Sequence, residues 1–125
     1  MSRPDPRAVG AVAIGGAVGA MLRWGLGELA PDESGFPWTT FAINVSGSLL
    51  LALVLGLGAV RRRPVLLAGL GPGLLGGYTT LSTLAEQSRS LLADGHVATA
   101  LAYLVGSALA CVAAVAIGRR LATGA

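Results

Sequence analysis

Gly69-Leu70-Gly71-Pro72-Gly73-Leu74-Leu75-Gly76-Gly77-Tyr78-Thr79-Thr80-Leu81-Ser82-Thr83 lies inside an apolar stretch that opens at Pro64 and continues to about Leu92. A helix needs about 20 such residues to cross a hydrocarbon core of roughly 30 Å. Pro72, however, removes a backbone donor, and the glycines weaken helix through backbone entropy. Backbone groups freed at membrane depth must find partners inside protein or beside a hydrated cavity. Broken helices in transport proteins place carbonyls and helix ends around ions. The run therefore reads as a membrane helix with a break in it; a kinked helix that uses small residues for close packing is the plainer alternative. It is not a phosphate loop, because no Lys follows the glycines.

Three more stretches qualify as spans on either side of it: about Ala8 to Gly27, Trp38 to Val60, and Val97 to Gly118. With the broken one, from Pro64 to about Leu92, they predict an all-α membrane protein of four transmembrane helices, one unit over residues 1–125. The links are short and hold the turn and charged residues: Pro31-Asp32-Glu33-Ser34-Gly35, Arg61-Arg62-Arg63-Pro64 and Ala93-Asp94-Gly95-His96. Arg3 and Arg7 followed by an apolar run resemble a signal peptide, but three further spans follow and the first stretch reads as an uncleaved helix.

Composition agrees. Of 125 residues 54% are hydrophobic and 12% charged, against about 25% charged in a soluble domain. All nine basic residues are Arg. They sit at the ends of apolar runs, which suits membrane flanks rather than a nucleic-acid face, and six aromatic residues supply little for base stacking. With four spans, Arg3, Arg7, Arg61, Arg62, Arg63, Arg119 and Arg120 share one side, while Arg23 and Arg89 fall toward the other. Seven against two is a strong positive-inside bias and predicts cytoplasmic termini for a multi-pass protein of the cell membrane. Cys111, the single cysteine, can form neither an internal disulfide nor a metal cluster.

Two polar residues stand out within the spans. Arg23 is a cation inside an apolar helix, costing roughly 2.5–3.5 kcal/mol at a bilayer centre and less near an end; a snorkelling anchor and a charge that favours an anion are both open readings. Asn44 is a lone amide, either packing glue between helices or a donor facing a pore.

The segments GGxxGAxxR from Gly15 to Arg23, NxxGS from Asn44 to Ser48 and GGxTTxSTxxE from Gly76 to Glu86, with Tyr103 and Ser107 one helical turn apart, together resemble the Fluc (CrcB-type) fluoride channel family. Order, spacing and span count agree over nearly the whole chain. The resemblance implies an inverted dimer of two antiparallel subunits with narrow fluoride pores along the interface. It implies a structural Na⁺ at the dimer centre held by backbone carbonyls, by position those of Gly76 and Thr79. Asn44 would line the pore, with Ser82, Thr83, Tyr103 and Ser107 as a polar track; Arg23 and Glu86 match family positions that favour the anion or serve structure. Such a pore must replace fluoride's water with amide and hydroxyl donors.

The chain departs from the family's pattern at Leu81 and Leu84, where the family carries Phe in TTFSTF. Those rings line the passage in the family, and an aromatic edge is electropositive enough to meet an anion; Leu offers only an apolar wall. The charge bias is a second departure, since a homodimer of opposed subunits needs one sequence to insert both ways. Both are resolved if this chain is half of a heterodimer with an inverted paralogue that supplies the aromatics. A non-conducting assembly subunit is the alternative. A small proton-coupled multidrug transporter is disfavoured because the first span holds no acid between Ala8 and Gly27. Enzyme activity is not expected: His96 is the one histidine, and no nucleophile or metal cluster accompanies Glu86.

Overall fold

The computed structural model describes residues 4–33 and 35–123; Arg3 and Ser34 lie outside them. The described residues form helices without strands: α1 Pro6–Leu29, α2 Trp38–Gly56, α3 Gly58–Arg61, α4 Pro64–Ala68, a π-helical segment Gly69–Leu75, α5 Gly76–Tyr78, α6 Leu81–Ala93 and α7 Val97–Thr123. Four units, Pro6–Leu29, Trp38–Gly56, Pro64–Ala93 and Val97–Thr123, are long and apolar enough to cross a membrane.

α1 begins where Asp5 accepts a hydrogen bond from the Arg7 amide (2.9 Å) with Pro6 in the first turn, a favoured start. α2 stops at Gly56, short of the expected Val60, because Leu57 turns extended (φ −72°, ψ 112°) before the single turn of α3. α7 runs past the expected Gly118 to Thr123. Gly118 is no terminator: a Cβ there would lie 2.8 Å from that of Ala52 and 2.9 Å from the Leu49 carbonyl.

The two closest helix pairings are parallel and join elements apart in sequence, while α6 also packs on its neighbour α7. Gly56 meets Ala122 and Ala52 meets Gly118, a constant register that sets α2 alongside α7 in the same direction. Gly15 abuts Gly69, Gly19 abuts Leu74, and Gly16 abuts Gly77, setting α1 parallel to the third span. Small residues at these crossings let backbones touch, which is how helices associate where lipid removes the hydrophobic drive. The register gathers Arg7, Arg61–Arg63, Arg119 and Arg120 at one end of the bundle.

The third span changes helix type and then breaks. Pro72, which has no N–H to give, lies within the π-helical segment, where looser i→i+5 bonding fits the missing donor. The break itself comes later, between α5 and α6, where Thr79 (φ −78°, ψ 158°) and Thr80 (φ −147°, ψ 119°) are extended.

The candidate pore and ion site

Two devices hold the break at Thr79–Thr80. The Thr80 hydroxyl caps α6 by accepting from the Thr83 amide (3.1 Å). From α2, the Asn44 side chain grips both backbone groups of Thr80: the Thr80 amide donates to Asn44 Oδ1 (2.8 Å), and Asn44 Nδ2 donates to the Thr80 carbonyl (3.0 Å). Asn44 is buried, so this pairing also satisfies an amide that would be costly to leave unbonded. One hydrogen of Nδ2 is left over.

Beside that clamp lies a cavity of about 300 Å³ between α2, the break, α6 and α7. Asn44, Leu81, Leu84 and Ser107, all expected along a pore, line it together, with Thr79, Ser48 and Cys111. Ser107 is 2% exposed, and its Oγ has no hydrogen-bond partner among the described residues. A buried hydroxyl without a partner is rare in folded protein, and this one belongs to a residue that lines the cavity. Leu81 is 79% exposed and projects from the chain's surface.

The other track residues are placed differently. Ser82 Oγ lies 3.2 Å from Thr80 Oγ1, and Thr80 Oγ1 donates to Thr83 Oγ1 (3.0 Å), so both serve the cap. Tyr103 is fully buried, edge-on to Phe36 at 5.3 Å, and its hydroxyl donates to Gln87 Oε1 (2.7 Å). It does not line the cavity.

Arg23 Nε donates to the Gly77 carbonyl (3.2 Å), bringing a positive charge to the break. No hydrogen bond among the described residues reaches the Gly76 or Thr79 carbonyls, because the chain turns extended before an i+4 amide can arrive. Carbonyl oxygens are the ligand type that a hard cation takes, and two supply part of its shell. Glu86 faces outward and forms a two-pronged pair with Arg89 (2.6 and 2.9 Å); it does not approach the cavity.

Two residues outside the expected set join this polar system. Gln87 Nε2 donates to Asp32 Oδ2 (3.2 Å). Asp32, in the first link, also accepts from the Thr39 amide (2.8 Å), the Thr40 amide (3.1 Å) and the Thr40 hydroxyl (3.0 Å). Those amides open α2, so a link carboxylate caps that helix from outside. Burial raises the Asp32 pKa, but hydrogen bonds from Thr39, Thr40 and Gln87 outweigh it and hold the carboxyl below its ordinary 3.8. The signal for Gln87 was present: Thr80, Thr83 and Gln87 are spaced three and four apart, one face of α6.

Residues 10–119 match the family model described as CrcB-like protein, Camphor Resistance (CrcB). The chain is 41% identical to fluoride-specific ion channel FluC 2 of Nocardia farcinica, over 97% of this chain and 91% of that one. It is 45% identical to a fluoride-specific ion channel FluC of Thermus thermophilus, over 77% and 79%. With fluoride-specific ion channel FluC 1 of Streptomyces coelicolor it shares 41% identity over 90% and 75%.

Proposed function

This chain belongs to the CrcB-like family, and from that membership we propose that it is a subunit of a fluoride-selective channel that lets fluoride leave the cytoplasm passively. The observation that carries the proposal is the cavity lined by both Asn44 and Ser107, whose buried hydroxyl has no partner among the described residues. A strongly hydrated anion needs such donors to replace its water, in a space narrow enough to strip it. Arg23 at the break adds a positive potential that favours an anion.

In this reading the second subunit lies inverted against the face that bears Leu81 and Gly76, both exposed in the single chain. Na⁺ is part of the proposal: the free carbonyls of Gly76 and Thr79 supply hard oxygen ligands, and the ion would fix the two breaks at the dimer centre. The termini are placed in the cytoplasm on the arginine bias. The partner is an inverted paralogue, which accounts for that bias and brings the aromatic edges that Leu81 and Leu84 lack. A second reading, a non-conducting assembly subunit, is favoured by the same two leucines, which make the cavity wall apolar.

Fluoride efflux from liposomes decides among these. The chain reconstituted alone is expected to be silent, and co-purification with an inverted paralogue to restore efflux. Efflux from the chain alone overturns the heterodimer, and silence in every pairing leaves the assembly role.

A further inference from the structure

The link carboxylate, Gln87 and Tyr103 form one continuous chain of hydrogen bonds, with the polarity of each member fixed by its neighbour. An ionised carboxylate only accepts, so the Gln87 amide must turn its Nε2 toward Asp32 (3.2 Å). Gln87 Oε1 then faces Tyr103 and can only accept, so the single hydroxyl proton of Tyr103 is committed to it (2.7 Å). Remove the charge and the reverse order becomes available: a neutral group at position 32 donates to Oε1, Nε2 donates to the Tyr103 oxygen, and the Tyr103 proton is free. Reversal is an amide flip that also weakens the start of α2, because Asp32 Oδ2 accepts from the Thr40 amide as well (3.1 Å) and a donor at that position no longer serves it; the Thr40 hydroxyl (3.0 Å) can turn to accept.

We propose that Asp32 is a positioning residue for Tyr103, acting through Gln87, whose charge decides whether the buried Tyr103 hydroxyl donates to the Gln87 amide or accepts from it. The Asp32 carboxylate is surrounded by Thr39 and Thr40 of α2 and Gln87 of α6. Glu33, Asp94 and His96 share with it a cavity of about 230 Å³ at the mouth of the bundle. Among the described residues no cation pairs with Asp32, so its charge acts on the amide without a competing ion. The relay stands independently of the channel reading above.

Tyrosine Raman spectra test it on the full chain, because the tyrosine Fermi doublet separates a hydroxyl that donates from one that accepts. A Tyr78→Phe parent leaves Tyr103 as the only one of the chain's two tyrosines. The doublet ratio is expected to be low in this parent at neutral pH and severalfold higher with Asp32→Asn. Acid should raise it in the parent, on the acid side of the ordinary aspartate range, and leave Asp32→Asn flat. Glu33→Gln should leave it low. Gln87→Leu should raise it by removing the acceptor, a check that survives if Asp32→Asn misfolds. A ratio unmoved by Asp32→Asn and by acid, or moved equally by Glu33→Gln, overturns the relay.

Discussion

At Asn44 one side chain satisfies both backbone groups of Thr80. Asn44→Ala would strand a buried N–H and a C=O, each costing about 1–3 kcal/mol. Thermal unfolding in detergent should show a loss of about 2 kcal/mol or more. Ser107→Ala is the opposite case: its Oγ has no partner to lose, so stability should hold within about 0.5 kcal/mol while fluoride efflux of the assembled channel falls. Equal damage to both quantities would mean that the hydroxyl is structural. At this scale the sequence was readable in part. Asn44 stood out as a lone amide in an apolar helix and Ser107 came from the family resemblance, and the two line one cavity. Glu86 pairs with Arg89 on the surface while Gln87, one residue on, turns toward Asp32 and Tyr103; a step of 100° around a helix separates the two settings. The spacing of Thr80, Thr83 and Gln87 held that information, but the identity of Gln87's two partners, Asp32 and Tyr103, depended on contacts 55 and 16 residues away.

The elements are held by close contact and by caps. A Cβ on Gly19 would strike the Leu74 carbonyl and come within 2.8 Å of the Tyr78 amide. Gly19→Ala should therefore cost about 1–3 kcal/mol by forcing α1 off the third span. Gly25→Ala, with nothing within 4 Å, should be neutral within about 1 kcal/mol. α2 depends on Asp32 for its first amides, and Asp32→Ala should cost about 1 kcal/mol. Because the folded state lowers the Asp32 pKa, that stabilisation is present above the unfolded value and is lost as pH falls through the folded one. The stability difference between the parent and Asp32→Ala should shrink in acid, which paired melts at neutral and low pH can read. Hydropathy located all four spans. It could not place the break, because the Gly-Pro run that looked weakest is absorbed as π-helix. The chain gives way instead at Thr79–Thr80, where Asn44 stands ready from another helix.

The whole chain exposes 8063 Å², whereas a soluble monomer of 12.4 kDa exposes about 6,100 Å². The excess is apolar: Val97, Leu101, Val105, Leu109 and Val112 run down one open face of α7. Lipid and a second subunit are the covers that fit. Arg61–Arg63 are the movable part of the arginine bias. Replacing all three with Gln leaves four basic residues against two, which should raise the inverted fraction. A cysteine placed in the second link, in a Cys111→Ala background, would report that fraction by labelling from each side; an unchanged fraction would mean that orientation is set elsewhere.

The parallel pairing of α1 with the third span, and of α2 with α7, also bears on how the protein is made. Neither of the first two helices has its main packing partner when it leaves the ribosome. Gly15 must wait for Gly69, and Ala52 for Gly118. At about 5–20 residues per second each wait lasts roughly 3–13 s, long enough for a nascent helix to diffuse alone in the bilayer. Assembly of the bundle is thus delayed until the last helix has been synthesised, and a chain truncated after the second link would hold two helices with nothing to fold against.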